Sequence, residues 1–156
     1  MSRIIDGLEG VIGSGRVAVV VSRYNTSICD SMLNAAIQTL TEAGIEESRH
    51  WIIRVPGAWE LCFGVDQAFL RPNVIAAVAL GAVIKGETTH DEHINRTVSA
   101  SLMRQSIDSG RPVGFGLLTC NTIEQALQRS GGSVGNKGHE AAGAVLEMLR
   151  LQHKMR

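Results

Sequence analysis

The chain has 156 residues, 15 Lys and Arg against 15 Asp and Glu, and 44% hydrophobic but only 4% aromatic residues. The length suits one domain, residues 1–156, with a core of its own. Zero formal net charge argues against a nucleic-acid partner, since tracking phosphates requires a clustered basic excess.

The N-terminus from Met1 to Gly7 has no apolar leader, and the longest apolar run, Val74 to Ile84, is shorter than the ~20 residues that span a bilayer. Residues 17–21 (Val-Ala-Val-Val-Val) predict a buried strand. Asn25 or Thr26 can cap the helix that follows, whose inner stripe is Ile28, Met32, Ala36, Leu40 and Ala43, and Gly44 ends it. A second strand is expected over Trp51–Val55, broken by Pro56-Gly57, and then a helix with Leu61, Val65 and Phe69 inward. Val74–Leu80 is the most apolar segment and is read as a central strand. Gly81 to Thr89 reads as a glycine-bounded loop, and His90–Ser109 as a long helix with Ile94, Val98 and Leu102 on one face. Pro112 introduces a fourth strand, Val113–Thr119. Two helices, near Thr122–Ser130 and His139–His153, finish the chain, with the glycine-rich turn Gly131–Gly138 between them.

This alternation predicts an α/β fold, a central parallel sheet of four strands covered by helices on both faces. Ligands in such open sheets sit at the carboxyl ends of the strands. That rule points to Ser22–Thr26, Pro56–Glu60, Gly81–His90 and Phe115–Asn121. Tyr24, Trp59 and Phe115 would then lie near one sheet edge, where flat rings suit a planar heterocycle and Glu60 can accept from hydroxyls or ring N–H groups. The competing reading is that Trp59 and Phe115 pack the helix–sheet interface. Gly86-Glu87-Thr88-Thr89 precedes a helix, so free amides and the helix dipole offer an anion site, with Lys85 or Arg129 supplying charge. The same residues also read as plain capping, with Thr88 or Thr89 as N-cap and Glu92 as its partner acid.

His90 begins that helix beside the anion turn, and a histidine so placed tends to stay neutral and suited to proton transfer. His90-Asp91-Glu92-His93 does not match the spacing of the helical zinc motifs, so no metal is expected. His50, His139 and His153 fall in polar contexts and read as solvated. Cys29, Cys62 and Cys120 are widely spaced with no Cys-x-x-Cys pair, which excludes a zinc knuckle or dithiol site and suits a reducing cytoplasm, the expected location. Gly131–Gly138 is not a phosphate-cradling loop of the Walker type, and no dinucleotide fingerprint or serine elbow follows any strand.

In order and spacing, Arg23-Tyr24-Asn25, Val55 to Glu60, Gly81 to His90 and Gly135-Asn136-Lys137-Gly138 resemble the motifs of the 6,7-dimethyl-8-ribityllumazine synthase family, and the similarity covers nearly the whole chain. The resemblance implies a flavodoxin-like three-layer sandwich. It also implies condensation of 5-amino-6-(D-ribitylamino)uracil with 3,4-dihydroxy-2-butanone 4-phosphate, the penultimate step of riboflavin synthesis, with no cofactor. On the residues that match, it places Tyr24 against the pyrimidine and Ala58, Trp59 and Glu60 along the ribityl chain. Ala82, Val83 and Ile84 would offer backbone groups to the heterocycle. Glu87, Thr88 and Arg129 would hold the phosphate, and His90 would move protons. Phe115 would come from the adjacent subunit, with Gly86, Thr89, Lys137 and Glu140 in support. Tyr24 stands where Phe or Trp is common, and Trp59 where Phe is common. The acidic Glu87 fits a phosphate turn if its amide faces the phosphate while its carboxylate points away.

The family forms pentamers, some of them assembling as twelve in an icosahedral shell. The short Gly131–Gly138 loop resembles that of shell formers, and Arg3-Ile4-Ile5 is placed to add a strand to a neighbour's sheet. Low net charge fits such self-association. Riboflavin synthase is a candidate partner, and the small-molecule substrates are the only others implied. Two further readings share the fold: a flavin- or lumazine-binding module, which would purify yellow, and a structural shell protein, which would tolerate loss of His90.

Overall fold

Val17 to Val21 form the middle of a strand with no solvent exposure on either face, the pattern of a parallel sheet covered on both sides. In the computed structural model, which describes residues 1–156, this strand is β1 (Arg16–Ser22). It is followed by α1 (Thr26–Glu42), β2 (His50–Val55), α2 (Leu61–Phe69), β3 (Val74–Ile84), α3 (His90–Ser109), β4 (Val113–Cys120), α4 (Ile123–Arg129), a small hairpin of β5 (Ser130–Gly132) and β6 (Gly135–Asn136), and α5 (Lys137–Lys154). The four long strands pair in parallel in the order β2-β1-β3-β4, so the flavodoxin-like three-layer architecture expected from the sequence is present. No helix is long and apolar enough to cross a membrane.

Alternation along β1 divides the core. Val17, Val19 and Val21 join Ile28, Met32, Leu40, Val145 and Leu149 of α1 and α5 on one face. Ala18 and Val20 join Leu61, Val65, Val98 and Leu102 of α2 and α3 on the other. Both layers bury apolar side chains at period two in the strand and 3.6 in the helices, the combination that fixes strand register.

Three local expectations change. β3 does not stop at Leu80 but runs on through Gly81 to Ile84. A side chain at Gly81 would stand 3.1 Å from both Leu117 and Leu61, so this glycine leaves room for both leucines on one face of the sheet and does not break the strand. The turn Gly131–Gly138 contains the β5–β6 hairpin, and α5 starts two residues earlier than expected. Asn136 caps it, its Oδ1 accepting from the amides of Gly138 (2.8 Å) and His139 (3.3 Å) while its Nδ2 donates to the Ser31 carbonyl (3.3 Å). His139 and His50 are not simply solvated. His139 Nδ1 lies 2.7 Å from Thr39 Oγ1, and His50 Nε2 donates to the Ile45 carbonyl at 2.9 Å.

Gly138 explains part of the glycine-rich pattern. A Cβ there would run into the Met32 carbonyl, so the α1 and α5 backbones touch where only glycine fits. Gly138→Ala should therefore lower stability by about 1–3 kcal/mol, the usual cost of overpacking. Gly143→Ala on the same helix, where nothing lies within 4 Å, should leave it unchanged or raise it by up to about 1 kcal/mol. Thermal unfolding followed by circular dichroism checks this, and equal midpoints for the two variants would contradict the close approach.

Candidate active site

The strand order reverses between β1 and β3, and the carboxyl ends of these strands are where a crevice opens in a doubly wound sheet. Beyond Ser22 the chain stays tied to the end of β2. The Arg23 amide donates to the Val55 carbonyl (2.8 Å) and the Tyr24 amide to the Pro56 carbonyl (3.1 Å). The Tyr24 ring then lies over Gly57, where a Cβ would come within 2.6 Å of its Cδ2. Gly57 is thus the residue that lets the ring settle. Its amide donates to Glu60 Oε2 (3.1 Å), which fixes the carboxylate and leaves its other oxygen without a protein donor.

Of the two cap candidates, Asn25 and Thr26, Asn25 takes the N-cap position of α1, but its side chain has a different task. It adopts the left-handed conformation (φ 58°) and makes no side-chain cap. Its Nδ2 instead donates to the Ala82 carbonyl at 3.0 Å, bridging 57 residues of sequence. Below it Cys29 is buried, and burial pushes its thiol up, so it stays protonated and donates to the Tyr24 carbonyl at 3.2 Å. The β1–β3 pairing ends at Val21 opposite Leu80, whereas β3 remains paired with β4 as far as Ile84 opposite Cys120. The Lys85 amide still donates to the Cys120 carbonyl. Backbone alternation therefore turns the N–H and C=O of Ile84 the other way, toward the open edge.

The turn from Gly86 to Thr89 is exposed and leads into α3. Of the two expected caps, Thr88 and Thr89, Thr89 is the N-cap residue, but it makes no side-chain bond, and no capping box with Glu92 forms. Among the amides from Gly86 to Asp91 only that of His90 has a partner in the chain, Thr88 Oγ1 at 3.3 Å. The others are free at the positive end of a 20-residue helix, the condition for holding an anion. The Glu87 side chain is exposed and unpaired.

A cleft of ≈ 500 Å³ gathers Tyr24, Gly57, Ala58, Trp59, Glu60, His90, His93 and Ile94. Five of the residues read from the sequence thus meet here. His93 and Ile94 were not among them, although their spacing from His90 on one helix face is the signal that finds them. Arg129, Lys137 and Glu140 gather elsewhere, in a second cleft of ≈ 310 Å³ with Leu118, Thr119, Cys120, Val134 and Gly135. No residue lines both clefts. Burial raises the Cys120 thiol, with the nearby Arg129 acting against it. Phe115 lies in mid-strand opposite Ala79 and is 43% exposed, flanked by Gly114 and Gly116 on the α5 side. It is not among the residues lining the Tyr24–Trp59 cleft, so the three rings do not share one pocket within a protomer. Gly131-Gly132-Ser133-Val134-Gly135 does spell Gly-x-Ser-x-Gly, but it sits at a hairpin tip between two helices, without the strand-to-helix geometry of a serine nucleophile.

Sheet order and cleft together define a flavodoxin-like α/β protein with a concave cleft at the carboxyl ends of its strands, the place where such sheets hold small ligands. The family model described as 6,7-dimethyl-8-ribityllumazine synthase matches residues 14–153. A protein of that name from Rhodopirellula baltica is 70% identical over 152 residues, covering 97% of this chain and 98% of its own. Another of the same name, from Syntrophus aciditrophicus, is 40% identical over 136 residues, 87% of this chain and 88% of its own. The chain belongs to the 6,7-dimethyl-8-ribityllumazine synthase family.

The Asn25 tether can be tested separately from chemistry. Asn25→Gly loses the bond to Ala82 but keeps an easy left-handed backbone, whereas Asn25→Ala loses the bond and strains the backbone. The alanine variant should be less stable than the glycine variant by about 1 kcal/mol. Urea unfolding measures the difference, and identical midpoints would contradict it.

Proposed function

We propose that this protein is a transferase that condenses 5-amino-6-(D-ribitylamino)uracil with 3,4-dihydroxy-2-butanone 4-phosphate to 6,7-dimethyl-8-ribityllumazine, with release of phosphate and water. The single observation carrying the reading is the Tyr24–Trp59–Glu60–His90 cleft opening at the β1/β3 switch point in a chain of this family. Its mouth adjoins a turn rich in free amides.

Each group has work that its geometry suits. The pyrimidine stacks on the Tyr24 ring, and Ile84 offers it a backbone donor and acceptor along the open edge of β3, next to Ala82 and Val83. Ala58, Trp59 and the held carboxylate of Glu60 flank the ribityl chain. Phosphate sits on the amides of Gly86, Glu87, Thr88 and Thr89, with the exposed Glu87 carboxylate turned away. The amine attacks the ketone, water leaves to give the imine, phosphate is eliminated, and ring closure expels a second water. Each of these steps moves a proton that the His90 imidazole can take or return. Holding the two substrates together supplies much of the remaining acceleration.

Arg129 lines a cleft that His90 does not, and Phe115 stands on β4, at the edge of the sheet. We infer that the complete site is shared: one subunit supplies Tyr24 to His90, and a neighbour supplies Phe115 and Arg129, with Lys137 and Glu140 beside them. Exposed Ile123 and Leu127 on α4, and Ile4 and Leu8 in the irregular N-terminal segment, are the kind of apolar surface that a neighbour covers. A cyclic pentamer, assembling further into a shell, is the arrangement proposed, with residues 1–156 acting as one domain in the cytoplasm and riboflavin synthase as an associated partner.

An assay with both substrates, following lumazine fluorescence, tests the reading, and absence of product would overturn it. His90→Ala should lower kcat on the order of 10²-fold with little change in KM. Arg129→Ala should raise the KM of the phosphate substrate by roughly tenfold. Unchanged turnover in the His90 variant would remove its assignment.

A further inference from the structure

His93 has no task in the mechanism above, yet it lines the substrate cleft together with His90, Trp59 and Glu60. It lies three residues beyond His90 on α3, which places the two Cβ atoms on one helix face about 5–6 Å apart. Neither imidazole takes part in a hydrogen bond or ion pair within the chain, and His93 is exposed in the cleft. It is therefore neither a packed core histidine nor a bridge between elements. No group of three His, Cys, Asp or Glu side chains is placed to hold a metal ion, so ligation does not account for it either.

Position separates its chemistry from that of His90. His90 adjoins the Gly86–Thr89 turn, where the phosphate-bearing substrate is proposed to sit. His93 is one helical turn farther from that end. It lines the cleft in common with Trp59 and Glu60, and the Glu60 carboxylate keeps one oxygen free because Gly57 holds only Oε2. A neutral imidazole has one donor and one acceptor nitrogen, and a carboxylate accepts only. A chain of hydroxyls, each both donor and acceptor, satisfies both groups at once. An alkyl chain of equal length would leave both unpaired when it excludes water.

Resting on the functional reading above, we propose that His93 is a specificity-determining residue for the polyhydroxylated side chain of the pyrimidine substrate. It hydrogen-bonds a ribityl hydroxyl in the part of the cleft lined by Glu60. The test compares 5-amino-6-(D-ribitylamino)uracil with the analogue carrying an unsubstituted pentylamino chain, each condensed with the phosphate substrate by the assembled enzyme. His93→Ala should raise KM for the ribityl substrate by roughly tenfold. KM for the phosphate substrate should stay within about twofold, and the preference for ribityl over pentyl should narrow by a similar factor. His93→Gln, which restores a donor and an acceptor, should recover part of the preference. His93→Phe fills the space without hydrogen bonds and carries the same comparison should the alanine variant fail to fold. An unchanged ribityl-to-pentyl ratio in these variants would overturn the proposal, as would a loss confined to kcat or to the phosphate KM. A wild-type enzyme that forms no lumazine would instead remove the functional reading on which it rests.

Discussion

The site depends on one constraint: β1 and β3 are hydrogen-bonded neighbours, yet the chains leaving their carboxyl ends must separate. Pairing between them stops at Val21 and Leu80. Past that point the bond from Asn25 Nδ2 to the Ala82 carbonyl ties the two chains together. Everything in the cleft hangs from the two sides of that gap. Tyr24 rests on Gly57 and Glu60 is held by Gly57 on the β1/β2 side, while Ile84, the amide-rich turn and His90 follow from β3. The core beneath is apolar on both faces of the sheet, so the strand ends have a rigid base and the polar groups are confined to the rim.

The layering about the sheet explains why the chemistry divides. α4 and the β5–β6 hairpin pack on the α1/α5 face of the sheet, where Ala126 joins the core and Ser130 and Asn136 bond Ser31. α3 lies with α2 on the other face, so Arg129, Lys137 and Glu140 collect in a cleft that His90 does not line. A phosphate bound at the start of α3 has free amides but no arginine from its own cleft. In the proposed shared site, the Arg129 of a neighbouring copy would supply that cation. Assembly is then a condition of catalysis in this account, and the balanced charge of the chain is what a surface meant to be covered by copies of itself would carry.

Much of this was legible in the sequence because it is local. Val17–Val21, the stripe Ile28-Met32-Ala36-Leu40 and the start of α3 at His90 follow from periodicity and turn residues. The cleft members Tyr24, Ala58, Trp59, Glu60 and His90 follow from the rule that sites gather at strand ends. What was not legible is non-local. Gly81 looks like a strand breaker until Leu61 and Leu117 are seen packed together over it. Asn25 looks like a cap because its true partner, Ala82, is 57 residues away. The strand-end rule set Phe115 near Tyr24 and Trp59, but the register of β4 places it in mid-strand, opposite Ala79. His93 was visible as a residue, but its place in the cleft emerges only when it is found to line it with Trp59 and Glu60.

The shared site is the central claim, and mixing subunits tests it most directly. His90→Ala and Arg129→Ala chains, each well below the wild-type rate alone at limiting phosphate substrate, are unfolded together, refolded as mixed assemblies and assayed for lumazine formation. Where the Arg129→Ala chain supplies His90 and the His90→Ala chain supplies Arg129, a complete site forms, at roughly a quarter of the interfaces for equal mixing in a cyclic ring. Activity should therefore return well above that of either variant refolded alone. Mixed assemblies no more active than the two separate variants would show that each site lies within one subunit, and would contradict the account.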